Sequence, residues 1–511
     1  MHISWSYSLR VLAERFGEQT AVMDSLDQEL SFNQLDDFAH QLAKMIVNQG
    51  ILPGQAVASL LPNTTDAVWT SYGIRLSGAA ETPLSWGYTL DEIQWCAELT
   101  KFDYVLTTTK REPELQALGF RTINIESMRQ KFADQMQKNN CNVSLDAIAA
   151  DQTGRILFTS GTTGKPKAVP YTHGARWAGE QLLKASLPFV PGADDKLLVM
   201  TPFVHGASLL TYAWCDYGAT VVIHHGVELE PLSILLKQIQ LCAIFAPPTV
   251  LAKITTAFEG QTFEGIKCIF TGTQPLTPAI YQKACKMFGP AVRITYGKSE
   301  CVNPITVLDR QATHAYFAES HERTGACVGW PAPGVEIKIV LDTALTAQTA
   351  EADVQDETDG EIYLRAPHMS SGLIDQNGFR PHRPDGWHQT GDLGHFDTQG
   401  RLILTGRVAD VIKTGGYRVN PDEIESVLAH NHQAGQICVT SLTSDYWGEI
   451  ILAVAENTQP GWIEQCQSLL SNMSRHKQPR LFISLPALPR NPQGKISRRQ
   501  VSKQVLATYQ L

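Results

Sequence analysis

At 511 residues, with 43% hydrophobic and 18% charged side chains, the chain is too long for one compact core and has the composition of a folded protein of at least two domains. Its 42 Lys+Arg against 51 Asp+Glu leave a formal net charge of -9. That balance argues against a nucleic-acid partner or an anionic membrane surface, yet leaves room for a small anionic substrate held by a local cluster of cations and backbone N–H groups.

Short β-branched apolar runs alternate with amphipathic stretches along the first half. Strands are predicted over 56–62 (AVASLLP), 103–108 (DYVLTT), 155–160 (RILFTS), 196–202 (KLLVMTP), 219–225 (ATVVIHH) and 242–248 (CAIFAPP). This alternation predicts α/β layers with parallel sheets. Directly after Arg155–Phe158 stands Thr159-Ser160-Gly161-Thr162-Thr163-Gly164-Lys165-Pro166-Lys167. Two glycines, four hydroxyls and two lysines suit a loop that wraps a triphosphate with backbone and side-chain donors. It is not a Walker A loop, because two residues separate Gly161 from Gly164 and Pro166 stands where a Mg²⁺-binding hydroxyl should follow the lysine. Thr346–Gly360 is the most polar stretch and reads as an exposed loop between strands.

Beyond Gly406 the pattern becomes smaller in scale. Asn420 is placed to cap a helix, Pro421 suits its first turn, and Glu423 completes a capping-box-like arrangement. Ile424, Val427 and Leu428 give that helix its apolar face, and Trp462, Cys466, Leu469, Leu470 and Met473 recur at helical spacing between strands 436–441, 451–456 and 481–486. The expected division is therefore 1–406 and a small C-terminal α/β domain, 407–511. The 10 cysteines contain no CxxC pair and no metal-ligand spacing. No run reaches ~18 apolar residues, and the opening MHISWSYSLRVLAERFG lacks a leader pattern. A cytoplasmic protein with reduced thiols and no membrane span is the expectation; the oligomeric state is not readable.

TSGTTGKPKAVPYTH, followed in order by Thr295-Tyr-Gly-Lys-Ser-Glu300, Gly386-Trp-His-Gln-Thr-Gly-Asp392, the run from Gly406 to Glu425, and Pro489-Arg-Asn-Pro-Gln-Gly-Lys495, resembles the motif series of the acyl-CoA synthetase, adenylation-domain and luciferase superfamily. The resemblance covers nearly the whole chain. It implies a large N-terminal domain of layered α/β sheets with a β-rich subdomain, a small mobile C-terminal domain, and a hinge near Ala409, where relatives usually carry Asp or Lys. It also implies an AMP-forming acid:thiol ligase using ATP, Mg²⁺ and coenzyme A. In that reading the Thr159–Lys167 loop holds phosphates. Gly272, Thr273 and Gln274, in a segment that departs from the commoner Gly-Gly-Ala-Pro-Leu wording, meet the adenine edge. Thr295, Tyr296 and Gly297 receive adenine, Ser299 meets a phosphate oxygen, and Glu300 binds Mg²⁺. Asp392 and Arg407 hold the ribose. Lys495 bridges the substrate carboxylate and the α-phosphate, whereas Lys413, Gly415 and Gly416 serve thiol transfer beside the pantetheine arm.

His205, in Pro202-Phe-Val-His-Gly-Ala-Ser208, takes the position that gates the acyl pocket in the resemblance. Relatives that activate α-amino acids usually place Asp just beyond it; Gly206 here disfavours such a substrate. Walls are expected around Trp214, Phe245–Thr249 and Thr271–Gln274, which suits a small or medium aryl or acyl acid. Lys298 either meets a second polar group on that acid or points elsewhere. Coenzyme A is the expected acceptor because no carrier domain follows Lys495. A carrier-protein thiol is the rival, and a non-catalytic nucleotide sensor, which would predict damage at Lys495, Glu300 or Asp392, is the alternative of a different class.

Overall fold

The computed structural model describes the chain except residues 26–27, 137–144, 146, 160–164, 225, 273, 320–324, 342–357, 445, 491–494 and 510–511, and the side chains of 135, 136, 205, 229 and 418. Of the predicted polar loop Thr346–Gly360, residues 346–357 thus lie outside the described residues, and Gly360 opens a strand. Two compact units result: Met1–Glu319 with Pro331–Glu336 and Arg365–Trp387, and Ser320–Trp330 with Ile337–Leu364 and His388–Leu511.

The first unit is built on two sheets. One runs, edge to edge, through 378–381, 372–375, 167–172, 153–159, 80–84, 56–60, 104–107 and 121–124. The other runs through 306–308, 292–296, 268–272, 243–245, 196–199, 220–223, 20–24 and 29–31, and its six inner strands are parallel. All six strands predicted in this region are present. The helix Thr65–Leu76 is buried along its whole length because it packs on strands of both sheets, a middle-layer helix with no face left for water. Beside it lie His173–Ala185, capped by the Thr172 hydroxyl accepting from the Ala175 N–H at 3.0 Å, and Ser208–Cys215. Together these give a sheet–helix–sheet sandwich.

This middle layer is not wholly apolar. Glu81 takes an ion pair from Arg176 at 2.9 Å, Arg75 pairs with Glu180, and Arg155 donates to the Ser208 hydroxyl at 2.9 Å, all nearly or fully buried. Such charges are tolerated only as a mutually satisfied set.

In the second unit, strands 336–340, 360–365, 388–396, 402–407 and 326–331 form one antiparallel sheet segment, the β-rich part. A 3₁₀ turn, Val408–Asp410, follows Leu402–Arg407 and leads into a second sheet of 417–419, 412–414, 448–456, 437–444 and 481–485. Helices Pro421–Leu428, Trp462–Leu469 and Arg498–Tyr509 cover it. Asn420 does cap the first of these, accepting from the Asp422 N–H at 3.1 Å. Glu423, however, turns away from the expected capping box and receives Lys477 Nζ at 2.7 Å, an ion pair outcompeting a backbone N–H.

Candidate active site

The predicted phosphate loop is the connection of an antiparallel hairpin. Thr159 at the end of one strand sits opposite Lys167 at the start of the next. Ser160, Gly161, Thr162, Thr163 and Gly164 lie outside the described residues. What holds the loop's far side is described: Trp95 Nε1 donates to the Pro166 carbonyl at 2.8 Å, and the Lys165 ammonium lies 4.0 Å from the Trp95 ring centroid. The indole fixes the proline and carries the lysine on its face.

The other N-terminal site residues converge at the carboxyl ends of adjacent parallel strands. Gly272 ends Cys268–Gly272 opposite Thr295, and a side chain there would collide with the Thr295 carbonyl. Thr273 is outside the described residues, and Gln274, half-buried, follows. Thr295 and Tyr296 close Val292–Tyr296, the Thr295 hydroxyl donating to the Thr306 carbonyl at 2.8 Å. Gly297 faces Asn303 so closely that any Cβ would overlap its amide. The turn from Tyr296 to Ile305 is then pinned from outside. The Tyr171 hydroxyl donates to the Ser299 carbonyl at 2.6 Å, the Ser370 N–H to the Glu300 carbonyl at 2.9 Å, and His368 Nε2 lies 3.0 Å from the Pro304 carbonyl. Glu300 itself is half-buried. Burial holds the imidazoles of His368 and His382 below the usual range, so both are neutral near pH 7.

Beside this edge opens a narrow crevice lined by Gly206, Leu210, Phe245, Phe270, Arg293 and Asn303 among others. It lies where chain order reverses: from 196–199 the next strand joins one side and 243–245 the other, the place where open α/β sheets bind ligands. Phe245 is a wall, as expected. Trp214 is not: it is fully buried behind Phe270, edge-on with centroids 5.5 Å apart. His205 lies in the π-helical turn Phe203–Ala207, its side chain outside the described residues. The neighbouring Gly206 packs against Phe245, where an added Cβ would already sit 3.2 Å from the ring, so a longer acidic side chain would fill the crevice.

The second unit holds the remaining candidates. Asp392, 6% exposed, sits directly across the strands from Arg407, whose Nε lies 3.2 Å from Asp392 Oδ1. Lys413 is exposed on the hairpin strand Ile412–Thr414, its N–H donating to Glu449 at 2.7 Å. Gly415 and Gly416 form the two-residue turn of that hairpin with φ of 56° and 83°, the left-handed pair such a turn demands. Lys495, half-buried, follows 491–494, which are not described; Arg490 bridges to Ile496 around it.

Two residues carry more than the sequence suggested. Arg293 is almost completely buried in the crevice wall, and its only signal was a lone cation inside an apolar strand. Arg498 pairs with Asp410 at 2.8 Å, Asp422 at 2.9 Å and Glu425 at 2.6 Å. It ties the 408–410 turn, the 421–428 helix and the segment after Lys495 to one guanidinium.

The profile of the family described as AMP-binding enzyme matches residues 9–374. Among relatives, 2-succinylbenzoate–CoA ligase of Bacillus subtilis is 26% identical over 93% of each chain. Long-chain-fatty-acid–CoA ligase FadD13 of Mycobacterium tuberculosis is 24% identical over 96% of each. The solved B. subtilis o-succinylbenzoate CoA synthetase, in complex with its acyl-adenylate intermediate, superposes with a TM-score of 0.83 over 98% of each chain at 23% identity.

Proposed function

The chain belongs to the AMP-binding enzyme family, and on that premise we propose that it activates a small or medium carboxylic acid with MgATP and transfers the acyl group to coenzyme A. The observation that carries this reading is the convergence of Gly272, the Thr295–Gly297 edge and the Ser299–Glu300 turn beside the Arg293-floored crevice. That arrangement supports reading the edge as the nucleotide side and the crevice beside it as the acyl side. The two relatives, both CoA ligases along nearly their whole length, support the acceptor.

In the first step a carboxylate oxygen bonds to the α-phosphorus, the bond to the β-phosphate bridging oxygen breaks, and pyrophosphate leaves. Lys495 balances the charge that builds on carboxylate and phosphate. Glu300 is suited to Mg²⁺, a single hard oxygen donor for an ion that otherwise takes phosphate and water oxygens; when bound, the ion neutralises phosphate charge. Asp392 and Arg407, already adjacent, accept from and donate to the ribose hydroxyls. In the second step the thiol sulfur bonds to the acyl carbon, the bond to AMP breaks, and the thiol proton goes to solvent. Lys413 and the Gly415–Gly416 turn serve this half. The proposed division of labour puts residues 407–511 in motion about Ala409 between the steps.

The test is pyrophosphate release over a panel of acids, with and without coenzyme A. Release by one acid group, with AMP and a thioester formed when coenzyme A is added, is the expected result. Release without a thioester would transfer the acceptor role to a carrier-protein thiol; silence across the panel would remove the ligase reading. Lys495→Ala is expected to lower adenylate formation by about 100-fold or more while supplied acyl-AMP is still consumed by coenzyme A. Equal loss of both halves would defeat the assignment.

A further inference from the structure

We infer that Arg293 is the specificity residue of the acyl crevice and that the acid it selects bears a second carboxylate at the end remote from the adenylated one. The inference rests on the ligase reading above and deepens it.

Arg293 projects from the same face of its strand as Thr295, two residues nearer the strand's start, so its Cα lies roughly 6–7 Å deeper than the nucleotide edge. In register across the sheet stand Phe270, Phe245 and Val199, of which the two phenylalanines line the crevice with it. An acid whose reacting carboxylate lies by Thr295 therefore points its other end down an apolar slot toward a guanidinium.

That guanidinium is 2% exposed and incompletely matched. Nη2 donates to the Ser186 carbonyl at 2.9 Å and lies 3.3 Å from the Ser186 hydroxyl, and the Phe270 ring centroid is 5.3 Å from Cζ. Nε has no hydrogen-bond partner. Among the described residues no carboxylate lies within ion-pair distance of it, and burial disfavours its charged form, with Cys268 and the more distant Asp309 opposing only in part. The other buried arginines of this unit differ in having a glutamate nearby: Arg75 and Arg176 at hydrogen-bond distance, and Arg155 with its Nε 3.6 Å from Glu81. A buried cation lacking its anion, in the wall of a crevice, is a site awaiting one. The Ser186 contact alone would describe a capping arginine at the end of helix His173–Ala185; it leaves the charge without an anion and does not explain its position in the slot.

The experiment compares matched acids of equal length, dicarboxylate against monocarboxylate (glutarate and valerate, terephthalate and 4-methylbenzoate), by pyrophosphate release from the full-length wild-type enzyme and from Arg293→Met and Arg293→Lys. Thermal shift by each acid alone gives a second readout. Wild type is expected to prefer the dicarboxylates in kcat/KM by about 100-fold. Met should abolish that preference by weakening the dicarboxylates alone, and Lys should restore part of it. Monocarboxylate activation equal to or better than dicarboxylate in wild type overturns the inference while leaving the ligase reading intact. So does a Met variant, folded by its melting profile, that loses both classes equally. If Met fails to fold, the wild-type preference and the Lys variant decide. Silence with every acid would remove both readings.

Discussion

His173 shows how a single buried residue sets a pH limit on the fold. Its ring is fully buried, receives the Trp5 indole N–H at Nδ1 at 3.1 Å, and presents Nε2 to the Gly78 carbonyl at 3.2 Å. Burial, reinforced by Arg176 and Arg75, lowers its pKa from 6.5 to about 4. The unfolded chain therefore binds a proton that the folded chain refuses between these values. The stability it contributes is complete above 6.5 and lost as the pH falls toward 4, about 3 kcal/mol in all. Urea unfolding between pH 7 and pH 5 should show about 2 kcal/mol of this loss. His173→Gln, which can keep both hydrogen bonds, should flatten the acid limb; an unchanged limb would assign it to other groups. Residues of this kind are poorly legible in a sequence, since a histidine after PYT reads equally as a helix start. Arg293 and Glu81 share that opacity. Each is a charge within an apolar strand, and only the third dimension says whether it meets a partner, water or a crevice.

Elements were far more legible than their ties. Strand periodicity and the two-glycine turn at 415–416 are local, and local patterns carry their own geometry. The strand ahead of 160–164 was likewise legible from its apolar run, whereas its antiparallel partner 167–172 was not read. What could not be read is which distant side chain clamps each element, as Trp95 does for Pro166 and Arg498 for three acidic residues. The 406/407 division is a case in point, because the strands of 326–331 and 360–365 join the second unit through pairing that no local pattern announces. Arg498 gives this a measurable consequence. Arg498→Met leaves Asp410, Asp422 and Glu425 mutually repelling, and should destabilise the second unit by about 2 kcal/mol, the partial exposure of the cluster keeping the loss below that of a fully buried pair. Hydrogen exchange should rise in 408–428 and 437–444 and remain unchanged in the first unit. Adding Asp410→Asn should recover part of the loss. Undiminished protection around the 408–410 turn would mean that the cluster holds nothing in place.

At the scale of the whole molecule, the proposed cycle assigns the nucleotide edge and acyl crevice to one unit, and Lys495, Lys413 and the glycine turn to the other. One lysine serves each half-reaction, so the cycle needs a point of rotation between Asp392–Arg407, which must stay with the ribose, and Lys413, which must approach later. Between them lies the 3₁₀ turn Val408–Asp410, with Asp410 anchored to Arg498 on the C-terminal side. Ala409 is thus the residue free of an anchoring side chain in that turn. Proline there fixes φ near −65° and pushes Val408 toward extended backbone, so Ala409→Pro should retain one of the two arrangements. Rapid-quench measurements should find pyrophosphate release within about 3-fold of wild type, and thioester formation from supplied acyl-AMP reduced by about 100-fold. Because small Ala carries no charge, Ala409→Lys should leave both rates nearly unchanged and shift only the balance between arrangements. Normal thiol transfer in the proline variant would remove Ala409 as the point of rotation. The sheet already holds Ile412 opposite Val419, so the rotation would then have to fall at Val408, Asp410 or Val411.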